Sequence, residues 1–339
     1  MSKPLVPPTT FGTACGKVIL IGEHAAVDGF PALALPLKDQ SLEISFGEPV
    51  SLDDQKFENS DHDLKYQAWN RCWTLTIHDR IQILPETERT RLSRSLELAL
   101  QLLLRREISL SDYTPQFIRI RSRLPLGAGM GGSAAVSAAL LRALSSVHGK
   151  ELSRHEIAAL ANELDGVFHG RASGLDAATV VADSIICFQK EFGSRSVTNR
   201  KGFWLFLIDT VERTPTREMV ASVAALRSRN PELVGNNFAL LGRLAEGCEN
   251  DLRDGDLKAL GEKLNQAHEC LRMIGVSTPL LDSCVSDLRT AGALGAKLTG
   301  GGGGGLALGL FENQPRLPLN DSWADCPHFL TFVPADKTS

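Results

Sequence analysis

The pattern of apolar and polar residues predicts a strand, a glycine-rich loop and a helix in the middle of the chain. Residues 117–121 alternate apolar and basic side chains, which is typical of a half-buried strand. Residues 134–144 are rich in Ala and Leu, which favours a helix. Between them, residues 125–135 read Pro-Leu-Gly-Ala-Gly-Met-Gly-Gly-Ser-Ala-Ala, with four glycines in six positions. The chain therefore passes through a loop of nearly bare backbone into the start of a helix.

Similar patterns predict the other elements of the chain. We expect strands and turns at 15–46, an irregular polar stretch at 50–80, an amphipathic helix at 88–106 and strands at 180–188 and 203–208. Further helices are expected near 216–228, 236–252 and 256–273, and Thr278-Pro279 caps one more that ends near Ala291. Within the polar stretch, His62 lies between two aspartates. Because no second cluster is near in sequence, we interpret it as part of a solvated loop and not as a metal site.

The composition is that of an ordinary globular protein. Of 339 residues, 43% are hydrophobic and 22% are charged, which is enough to bury a large core in two lobes. The net charge of −4 gives no reason to expect nucleic acid or a membrane as a partner. No apolar run has the length of a membrane span, and the N-terminus has no signal-peptide pattern. The seven scattered cysteines show no Cys-x-x-Cys spacing, which predicts reduced thiols and a cytoplasmic protein.

The central loop has the features of a phosphate-binding loop. Glycine backbone can approach an anion closely, and the N–H groups and positive dipole end of the following helix face it. A dinucleotide-binding interpretation through Gly127, Gly129 and Gly132 requires a strand ending in an acidic residue about 20 residues later. Glu151 lies there, but Ser153-Arg154-His155-Glu156 follows as a capping box, so no strand intervenes. A Walker loop is disfavoured because no Gly-Lys-Ser/Thr ends the loop, and a nucleophile elbow is disfavoured because Ala135 stands where a glycine is required. A plain glycine-rich turn stays an alternative.

Two further segments of the sequence help to decide between a phosphate-binding loop and a plain glycine-rich turn. Residues 16–24 read Gly-Lys-Val-Ile-Leu-Ile-Gly-Glu-His, an apolar strand bracketed by glycines and charges. Near the C-terminus, residues 297–299 lead into six consecutive glycines, residues 300–305, and then into the apolar residues 306–308. So long a glycine run is entropically costly unless something binds against its bare backbone. A flexible linker is disfavoured because strands are expected at both ends of the run.

Together, the three segments resemble the motifs of the GHMP kinase family of small-molecule kinases. The family has an N-terminal lysine segment, a central Pro-x-x-x-Gly-Leu-Gly-Ser-Ser-Ala-Ala loop and a C-terminal glycine-rich loop, in this order. Within the family, residues 16–27 and 295–305 are most similar to the corresponding segments of mevalonate kinases. Residues 169–176 match a further signature, His-Gly-x-Pro-Ser-Gly-x-Asp, except for Ala172, and residues 265–277 are also similar. The resemblance covers nearly the whole chain.

The resemblance implies an α+β fold with two lobes and a kinase reaction. We expect an ATP-binding N-terminal lobe at residues 1–199 and a ferredoxin-like C-terminal lobe at residues 200–339, with ATP and substrate in the cleft between them. The implied reaction transfers the γ-phosphoryl group of ATP to the 5-hydroxyl of (R)-mevalonate, with Mg²⁺ as cofactor, in isoprenoid precursor synthesis. The expected partners are these two small molecules, with assembly as a homodimer left open.

The resemblance also assigns roles to residues of this chain. Asp176 matches the catalytic aspartate that orients the hydroxyl and accepts its proton, and Lys17 matches the lysine that stabilises the developing charge. A turn-capping role is the alternative for Asp176. The expected ATP-binding residues are Pro125, Gly127, Ala128, Gly129, Met130, Gly131, Gly132, Ser133 and Ala134. The expected substrate-binding residues are Lys17, Glu23, His24, Ser173, Asp176, Thr216, Gly301 and Gly302.

The chain departs from the family pattern near the expected metal site. Ser133 matches the loop serine that binds Mg²⁺, although helix capping alone is an alternative. Asp165 stands where mevalonate kinases usually have a Mg²⁺-binding glutamate, which keeps the charge but shortens the reach. Gly132 replaces the first loop serine. Arg171-Ala172 replaces a polar residue and a proline, and we interpret Arg171 as solvated.

Other functions stay open at this point. Phosphomevalonate kinase and homoserine kinase are alternative activities within the family, whereas galactokinase is disfavoured by Ala25-Ala26-Val27 in place of its Thr-Asp-Tyr. A decarboxylase relative should lack the Glu23-His24 segment. A non-catalytic nucleotide-binding regulator of the same fold is a further alternative, although such a protein needs neither Lys17 nor Asp176.

Overall fold

The computed structural model describes residues 11–46, 72–77, 80–82, 86–106, 117–125, 127–169, 173–316, 323 and 326–337. The chain divides into two compact units. Unit 1 comprises Met1–Gly16, Lys38–Pro125 and Gly131–Val181, and unit 2 comprises Lys17–Leu37, Leu126–Met130 and Ala182–Ser339. Each unit is therefore assembled from separate stretches of sequence. The boundary expected between residues 199 and 200 stays a prediction.

In its described residues, unit 1 combines strands with four helices. Strands β1 (Phe11–Ile21) and β2 (Ala32–Phe46) contribute residues to both units. The remaining elements of unit 1 are β3 (Cys72–Ile77), β4 (Arg80–Gln82), α1 (Glu86–Arg105), β5 (Phe117–Ser122), α2 (Gly132–Val147), α3 (Arg154–His169) and α4 (Leu175–Val180). The strands lie in the order β4-β3-β5-β2, with β3 and β5 parallel, and β1 also pairs with β2. Ile120 of β5 lies opposite Leu75 on one side and Ile44 on the other, so the centre of this sheet is apolar.

Helix α2 of unit 1 is largely buried, as its Ala- and Leu-rich sequence predicts. Leu140, Leu141 and Leu144 are fully buried. A Cβ atom on Gly12 would lie 2.0 Å from the carbonyl oxygen of Ala139, so β1 runs directly against this helix. The strand and the middle of the helix therefore pack backbone to backbone.

The predicted capping box at the start of α3 is confirmed. The backbone N–H of Ser153 donates to Oε2 of Glu156 (2.9 Å), and the N–H of Glu156 donates to Oγ of Ser153 (3.3 Å). Two N–H groups that lack helical partners are thereby satisfied. Since a helix begins at this point, the strand that a dinucleotide-binding motif requires is absent between α2 and α3, a stretch that the structure describes throughout.

Unit 2 contains the expected antiparallel α+β arrangement. Its further elements are a short 3-10 helix (Ala25–Asp28), β6 (Ile186–Gln189), β7 (Gly193–Ser196), β8 (Phe203–Asp209), α5 (Thr216–Arg229), α6 (Pro231–Asp254), α7 (Leu257–Met273), α8 (Pro279–Thr290), β9 (Gly295–Thr299), β10 (Leu306–Phe311) and β11 (His328–Val333). Strands β6 and β7 continue from β2. The four later strands form an antiparallel sheet in the order β11-β8-β10-β9. Counted along the chain this order is 4-1-3-2, that of a ferredoxin-like sheet.

Two sequence-based expectations were wrong in part. Val180 does not begin a strand but ends α4, where Oγ1 of Thr179 donates to the carbonyl of Leu175 (2.6 Å), and the strand is β6. Periodicity alone does not distinguish a short buried helix from a buried strand. Within the stretch 50–80, expected to be irregular, residues 72–77 form β3. The predictions about His62 and Arg171 fall outside the described residues.

Candidate functional site

The three glycine-flanked motifs meet within unit 2. The backbone N–H of Lys17, in the first motif, donates to the carbonyl of Met130 in the central loop (2.9 Å). Two residues later, the N–H of Ile19 donates to Oγ1 of Thr299 (3.2 Å), and that hydroxyl donates to the carbonyl of Ile19 (2.9 Å). Segments that are far apart in sequence are therefore hydrogen-bonded to β1, which makes this part of unit 2 the candidate site.

The central loop presents bare backbone, as its sequence predicts. Gly127, Gly129 and Gly131 have φ angles of 74°, 84° and 72°, in the left-handed region that favours glycine. A Cβ atom on Gly127, Gly129 or Gly132 would meet no described atom within 4 Å. The backbone conformation therefore favours glycine at 127 and 129, and tight packing against described atoms does not require it at 127, 129 or 132. The inward side of the loop is formed by Ala128 and Met130, each 1% exposed.

Helix α2 begins with backbone N–H groups directed into this loop region. Gly131 is its N-cap residue, no side chain caps the helix there, and no acidic residue lies in the first turn. The first intrahelical hydrogen bond runs from the N–H of Ala135 to the carbonyl of Gly131 (2.9 Å). The preceding N–H groups have no helical acceptor, and the helix dipole is positive at this end. This arrangement suits a phosphate group.

The C-terminal glycine run joins β9 to β10. Thr299 lies opposite Leu306, so the two strands form a hairpin whose loop is the six glycines. A Cβ on Gly302 would lie 2.2 Å from the carbonyl oxygen of Val276, and one on Gly304 would lie 2.5 Å from that of Glu212. The glycine run was expected to have something packed against its bare backbone, and part of what packs there is the protein's own backbone.

Thr216 and the central loop also lie against this run. A Cβ on Gly301 would lie 3.1 Å from the side chain of Thr216, the first residue of α5. One on Gly300 would lie 3.7 Å from the carbonyl oxygen of Gly129. Unit 2 thus brings together Lys17, Thr216, Gly301, Gly302 and the central loop, although their roles in binding stay predictions.

The Glu23-His24 segment is held against the same glycine run. His24 has a φ of 61°, unusual for a residue with a side chain, and its Nε2 lies 2.9 Å from the carbonyl oxygen of Gly301. Burial lowers the pKa of His24, against the opposing effects of this hydrogen bond and the charge of Glu23. His24 is therefore neutral at pH 7, with Nε2–H as the donor to the carbonyl.

Glu23 and Lys297 form a buried ion pair that sequence reasoning missed. Their side chains are 1% and 0% exposed, and the Lys297 ammonium donates to Oε1 of Glu23 and to the carbonyl of Leu298 (2.5 Å). The only signal in the sequence is one lysine within the otherwise uncharged strand β9. Nothing in the sequence indicated its partner.

Unit 1 contains the other predicted residues. Ser133 is the second residue of α2 and is half-buried, and Asp165 lies on α3 with 5% exposed. Oγ of Ser173 accepts a hydrogen bond from the N–H of Leu175 (3.3 Å) at the start of α4. Asp176 lies in the first turn of that helix, whose N-cap is Gly174. The capping position that was the alternative role for Asp176 is thus filled by another residue.

The oxygen groups of Ser133 and Asp165 fit a magnesium ion. Mg²⁺ prefers hydroxyl and carboxylate oxygens and needs only one or two carboxylates when it is also bound by nucleotide phosphates. Among the residues that the structure describes, no group of three or more His, Cys, Asp and Glu side chains could hold a metal ion by itself. The donor set therefore suits a metal that arrives with a nucleotide better than a resident one.

A second network of hydrogen bonds connects β9 to helices α7 and α8. His268 on α7 accepts a hydrogen bond from the N–H of Leu298 at Nδ1 (3.4 Å), and its Nε2 lies 3.2 Å from Oδ1 of Asp282 on α8. The same oxygen accepts from the hydroxyl of Ser277 (2.6 Å). Burial lowers the pKa of His268 to about 4. The neutral ring therefore links two helices to the strand that leads into the glycine run.

A strap formed by residues 209–213 crosses the other end of the glycine run. The N–H of Gly305 donates to the carbonyl of Glu212 (2.9 Å), and the N–H of Thr210 donates back to the carbonyl of Gly305 (2.9 Å). Arg213 binds the buried carboxylate of Asp209 through two hydrogen bonds of 2.7 and 2.6 Å. Sequence reasoning gave no role to Asp209 or Arg213, and the structure shows that they fix this strap.

Comparison with known proteins places the chain in a family. The GHMP kinases N terminal domain matches residues 95–183, and the GHMP kinases C terminal domain matches residues 223–318. The chain is 31% identical to a mevalonate kinase of Pyrococcus furiosus over 312 residues, 90% of each chain. It is also 31% identical to a mevalonate kinase of Thermococcus sibiricus over 304 residues, 86% of each chain.

Solved structures share the fold. The mevalonate kinase of L. major, crystallised in complex with R-mevalonate, has a TM-score of 0.75 at 24% identity and covers 100% of both chains. The phosphomevalonate kinase of Streptococcus pneumoniae, in complex with phosphomevalonate and AMPPNP, has a TM-score of 0.71 at 17% identity, covering 95% of this chain and 99% of that one. With sequence matches over up to nine-tenths of its length, the chain belongs to the GHMP kinase family, and both sequence relatives with 31% identity are mevalonate kinases.

Proposed function

We propose that this chain transfers the γ-phosphoryl group of ATP to the 5-hydroxyl of (R)-mevalonate, giving 5-phosphomevalonate and ADP. The observation that carries the proposal is the convergence of Lys17, Glu23, His24 and both glycine loops in unit 2, in a chain 31% identical to mevalonate kinases over 90% of its length. Phosphoryl transfer asks a protein for positioning and charge neutralisation more than for covalent chemistry. These residues can supply both.

The central loop is the proposed phosphate-binding element. Its open glycine backbone and the first N–H groups of α2 can donate to the β- and γ-phosphates, with Ser133 and Ala134 in the first turn of the helix. Magnesium bound with the nucleotide would be held by the hydroxyl of Ser133 and the carboxylate of Asp165, and it supplies positive charge that neutralises the phosphates. The proposed nucleotide contacts are Pro125 and residues 127–134.

Lys17 and Asp176 have the proposed catalytic roles. The carboxylate of Asp176 would orient the substrate hydroxyl and accept its proton. The ammonium of Lys17 would stabilise negative charge on the attacking oxygen and on the transferred group. Lys17 is buried, with 3% of its surface exposed. Glu23, His24, Ser173, Thr216 and the backbone of Gly301 and Gly302 are the proposed contacts for the small hydroxy acid.

The proposed cellular location is the cytoplasm. The six cysteines whose side chains the structure describes are free thiols, which supports a reducing compartment. In the described part of the chain, no helix has the length and apolar character that crossing a membrane requires. We also keep assembly as a homodimer as a proposal.

The experiment that tests the function is a coupled ADP-release assay with several acceptors. Mevalonate, phosphomevalonate, homoserine and galactose are each tested with ATP, with and without Mg²⁺, and the product is identified by ³¹P NMR. We expect Mg²⁺-dependent turnover of mevalonate to 5-phosphomevalonate. Turnover of another acceptor without mevalonate would identify a different kinase, and nucleotide binding without turnover of any acceptor would identify a regulator.

A further inference from the structure

Lys297 is a buried lysine for which the proposed reaction has no direct use. All five residues of β9 are buried, and Lys297 is 0% exposed. Removing an ammonium group from water carries a large desolvation penalty. An apolar pair of similar volume is often as stable as a buried ion pair or more so. Stability by itself therefore does not account for a charged residue at this position.

The ammonium of Lys297 connects the first motif to the strand that leads into the glycine run. It donates to Oε1 of Glu23, which lies 274 residues earlier in the chain, and to the carbonyl of Leu298 (2.5 Å). Burial lowers the pKa of Lys297, and the charge of Glu23 opposes this effect most strongly. The carboxylate is thus the main group that keeps the lysine charged, and the two side chains depend on each other.

Only one oxygen of the Glu23 carboxylate is used in this pair. Oε2 is buried and accepts no hydrogen bond from any residue in the described part of the chain. The next residue, His24, is held in a left-handed conformation and bonds to Gly301. The chain is thus held at His24, and Lys297 holds one oxygen of the Glu23 carboxylate. The other oxygen, Oε2, is left to accept a hydrogen bond. A carboxylate oxygen in this state suits a hydroxyl group.

We propose that Lys297 is a positioning residue: its ammonium fixes the Glu23 carboxylate so that Oε2 accepts a hydrogen bond from a hydroxyl of the acceptor substrate. This inference rests on the proposed function, because it names what orients a substrate-binding residue of that reaction. Lys297 acts through Glu23 and does not touch the substrate. Its removal therefore affects recognition of the hydroxy acid and not of ATP.

The first test compares steady-state kinetics of Lys297→Met with the wild type. Methionine keeps an unbranched side chain of similar length without the charge. Losing the orientation of one charge-assisted hydrogen bond should raise the KM for mevalonate by about 10- to 100-fold. The KM for ATP should change by less than about twofold. An unchanged KM for mevalonate, or equal increases for both substrates, would overturn the proposal.

The second test asks whether the lysine acts through Glu23. Glu23→Gln is compared with the double variant Lys297→Met/Glu23→Gln, and the extra substitution should change the KM for mevalonate by less than about twofold. A further increase of about tenfold would show that the lysine acts on the substrate independently. This comparison also decides the question if Lys297→Met alone does not fold, because neither variant leaves the carboxylate buried without its partner. In Glu23→Gln, Lys297 avoids an unpaired buried charge by losing its proton, since burial lowers its pKa and the carboxylate that opposes this effect is gone.

A matched control lies in the same unit. Lys201 pairs with Glu312 at 2.5 Å, with side chains 48% and 40% exposed, so Lys201→Met removes an exposed ion pair. Its kinetics should equal those of the wild type. A wild type that phosphorylates no mevalonate overturns the proposed function and this inference with it. An active wild type together with an unaffected Lys297→Met overturns the inference alone.

Discussion

Four of the five buried acidic and lysine side chains among the described residues belong to the first motif or to the segments at either end of the C-terminal glycine run. Among the residues that the structure describes, Lys17, Glu23 and Lys297 are at most 3% exposed, and Asp165 and Asp209 are at most 5% exposed. Burying a charge is costly unless it is paired or coordinated. Sites of this kind are where function, more than stability, decides the residue. The individual residues therefore offer the sharpest tests of the proposed chemistry.

Asp176 is the residue on which the proposed proton transfer depends. Asp176→Asn keeps the size of the side chain and removes its basicity, so kcat should fall by about 100- to 10,000-fold. Binding of ATP, measured by calorimetry, should stay within about twofold of the wild type. Asp254→Asn, at the exposed end of α6, is the control. If Asp176→Asn keeps a kcat near that of the wild type, the aspartate is structural.

Asp165 tests the departure from the family's glutamate. Asp165→Ala removes a carboxylate from the proposed magnesium site, so the Mg²⁺ concentration for half-maximal activity should rise at least about tenfold at fixed ATP. The aspartate side chain is one methylene shorter than the family's glutamate, so we expect a water molecule to bridge Asp165 and the metal. Asp165→Glu should therefore be tolerated, because the longer side chain reaches the metal directly. Glu163→Ala, at an exposed position two residues away on α3, should leave the Mg²⁺ requirement unchanged. Equal requirements for Asp165→Ala and the wild type would contradict the assignment.

At the scale of elements, the site is built where helices press closely on strands. A Cβ on Gly295 of β9 would lie 2.0 Å from the carbonyl oxygen of Gly261 on α7, so the helix and strand backbones nearly touch. His268 and Asp282 then link α7, β9 and α8 by hydrogen bonds. Packing of this density leaves little freedom to the strand that carries Lys297 and Thr299. The glycine run therefore starts from a rigid support.

Gly295 provides a test of that support. Gly295→Ala forces α7 and β9 apart and should destabilise the protein by about 1–3 kcal/mol in urea unfolding. Gly235→Ala, in α6, adds a Cβ that meets no described atom within 4 Å and should stabilise the helix by up to about 1 kcal/mol. Both variants replace a glycine by alanine, but the expected changes in the free energy of unfolding have opposite signs. A Gly295→Ala protein as stable as the wild type would show that the backbones can separate at no cost.

The His268 network predicts a pH dependence of stability. The pKa of His268 is about 4 in the folded protein and about 6.5 when unfolded, so the unfolded state binds the proton more readily. Its stabilising contribution is present above pH 6.5 and is lost as the pH falls toward 4. Between pH 7 and pH 5 the loss should be about 2 kcal/mol.

Urea unfolding at the two pH values measures this loss. His268→Gln keeps a hydrogen-bonding side chain without the ionisation, so its stability should change less over the same interval. An equal change in the wild type and in His268→Gln would assign the pH dependence to other groups. The pKa of His148 is also lowered by burial, so His148→Gln measures how much of the loss comes from a second imidazole.

At the scale of the whole molecule, both compact units contain residues that the proposed reaction needs. Unit 1 holds Ser133, Asp165, Ser173 and Asp176, and unit 2 holds Lys17 and Glu23. The proposed phosphate-binding loop itself passes from unit 2 into unit 1 at Gly131. Ligands that bind such residues add their binding free energy to the stability of the folded chain.

Thermal unfolding with and without ligands tests whether the folded chain binds the two proposed substrates. At about a hundredfold excess over Kd, MgATP or mevalonate should each stabilise the protein by about 2.7 kcal/mol, seen as a rise in Tm. Galactose at the same concentration should leave the Tm unchanged. A rise with MgATP but none with mevalonate would separate nucleotide binding from the proposed acceptor.

Local structure was determined by the sequence where short-range interactions decide it. The helix starts at Ser153 and Thr278, the central loop and the strands on both sides of the glycine run are all confirmed, because capping and periodicity act over a few residues. The family's motifs also indicated the residues of the candidate site. Residues 180–188 and β3 were misjudged because a short apolar segment fits a helix, a strand or a loop equally well.

Only the tertiary structure decided which distant residues meet. The pairing of Glu23 with Lys297, the contact of His24 with Gly301 and the packing of Val276 on Gly302 each join positions more than 20 residues apart. No local pattern encodes such pairs, since burial and hydrogen bonding depend on how whole elements pack. The sequence thus determined most elements and the family, and the fold decided which lysine and which glutamate form a buried ion pair.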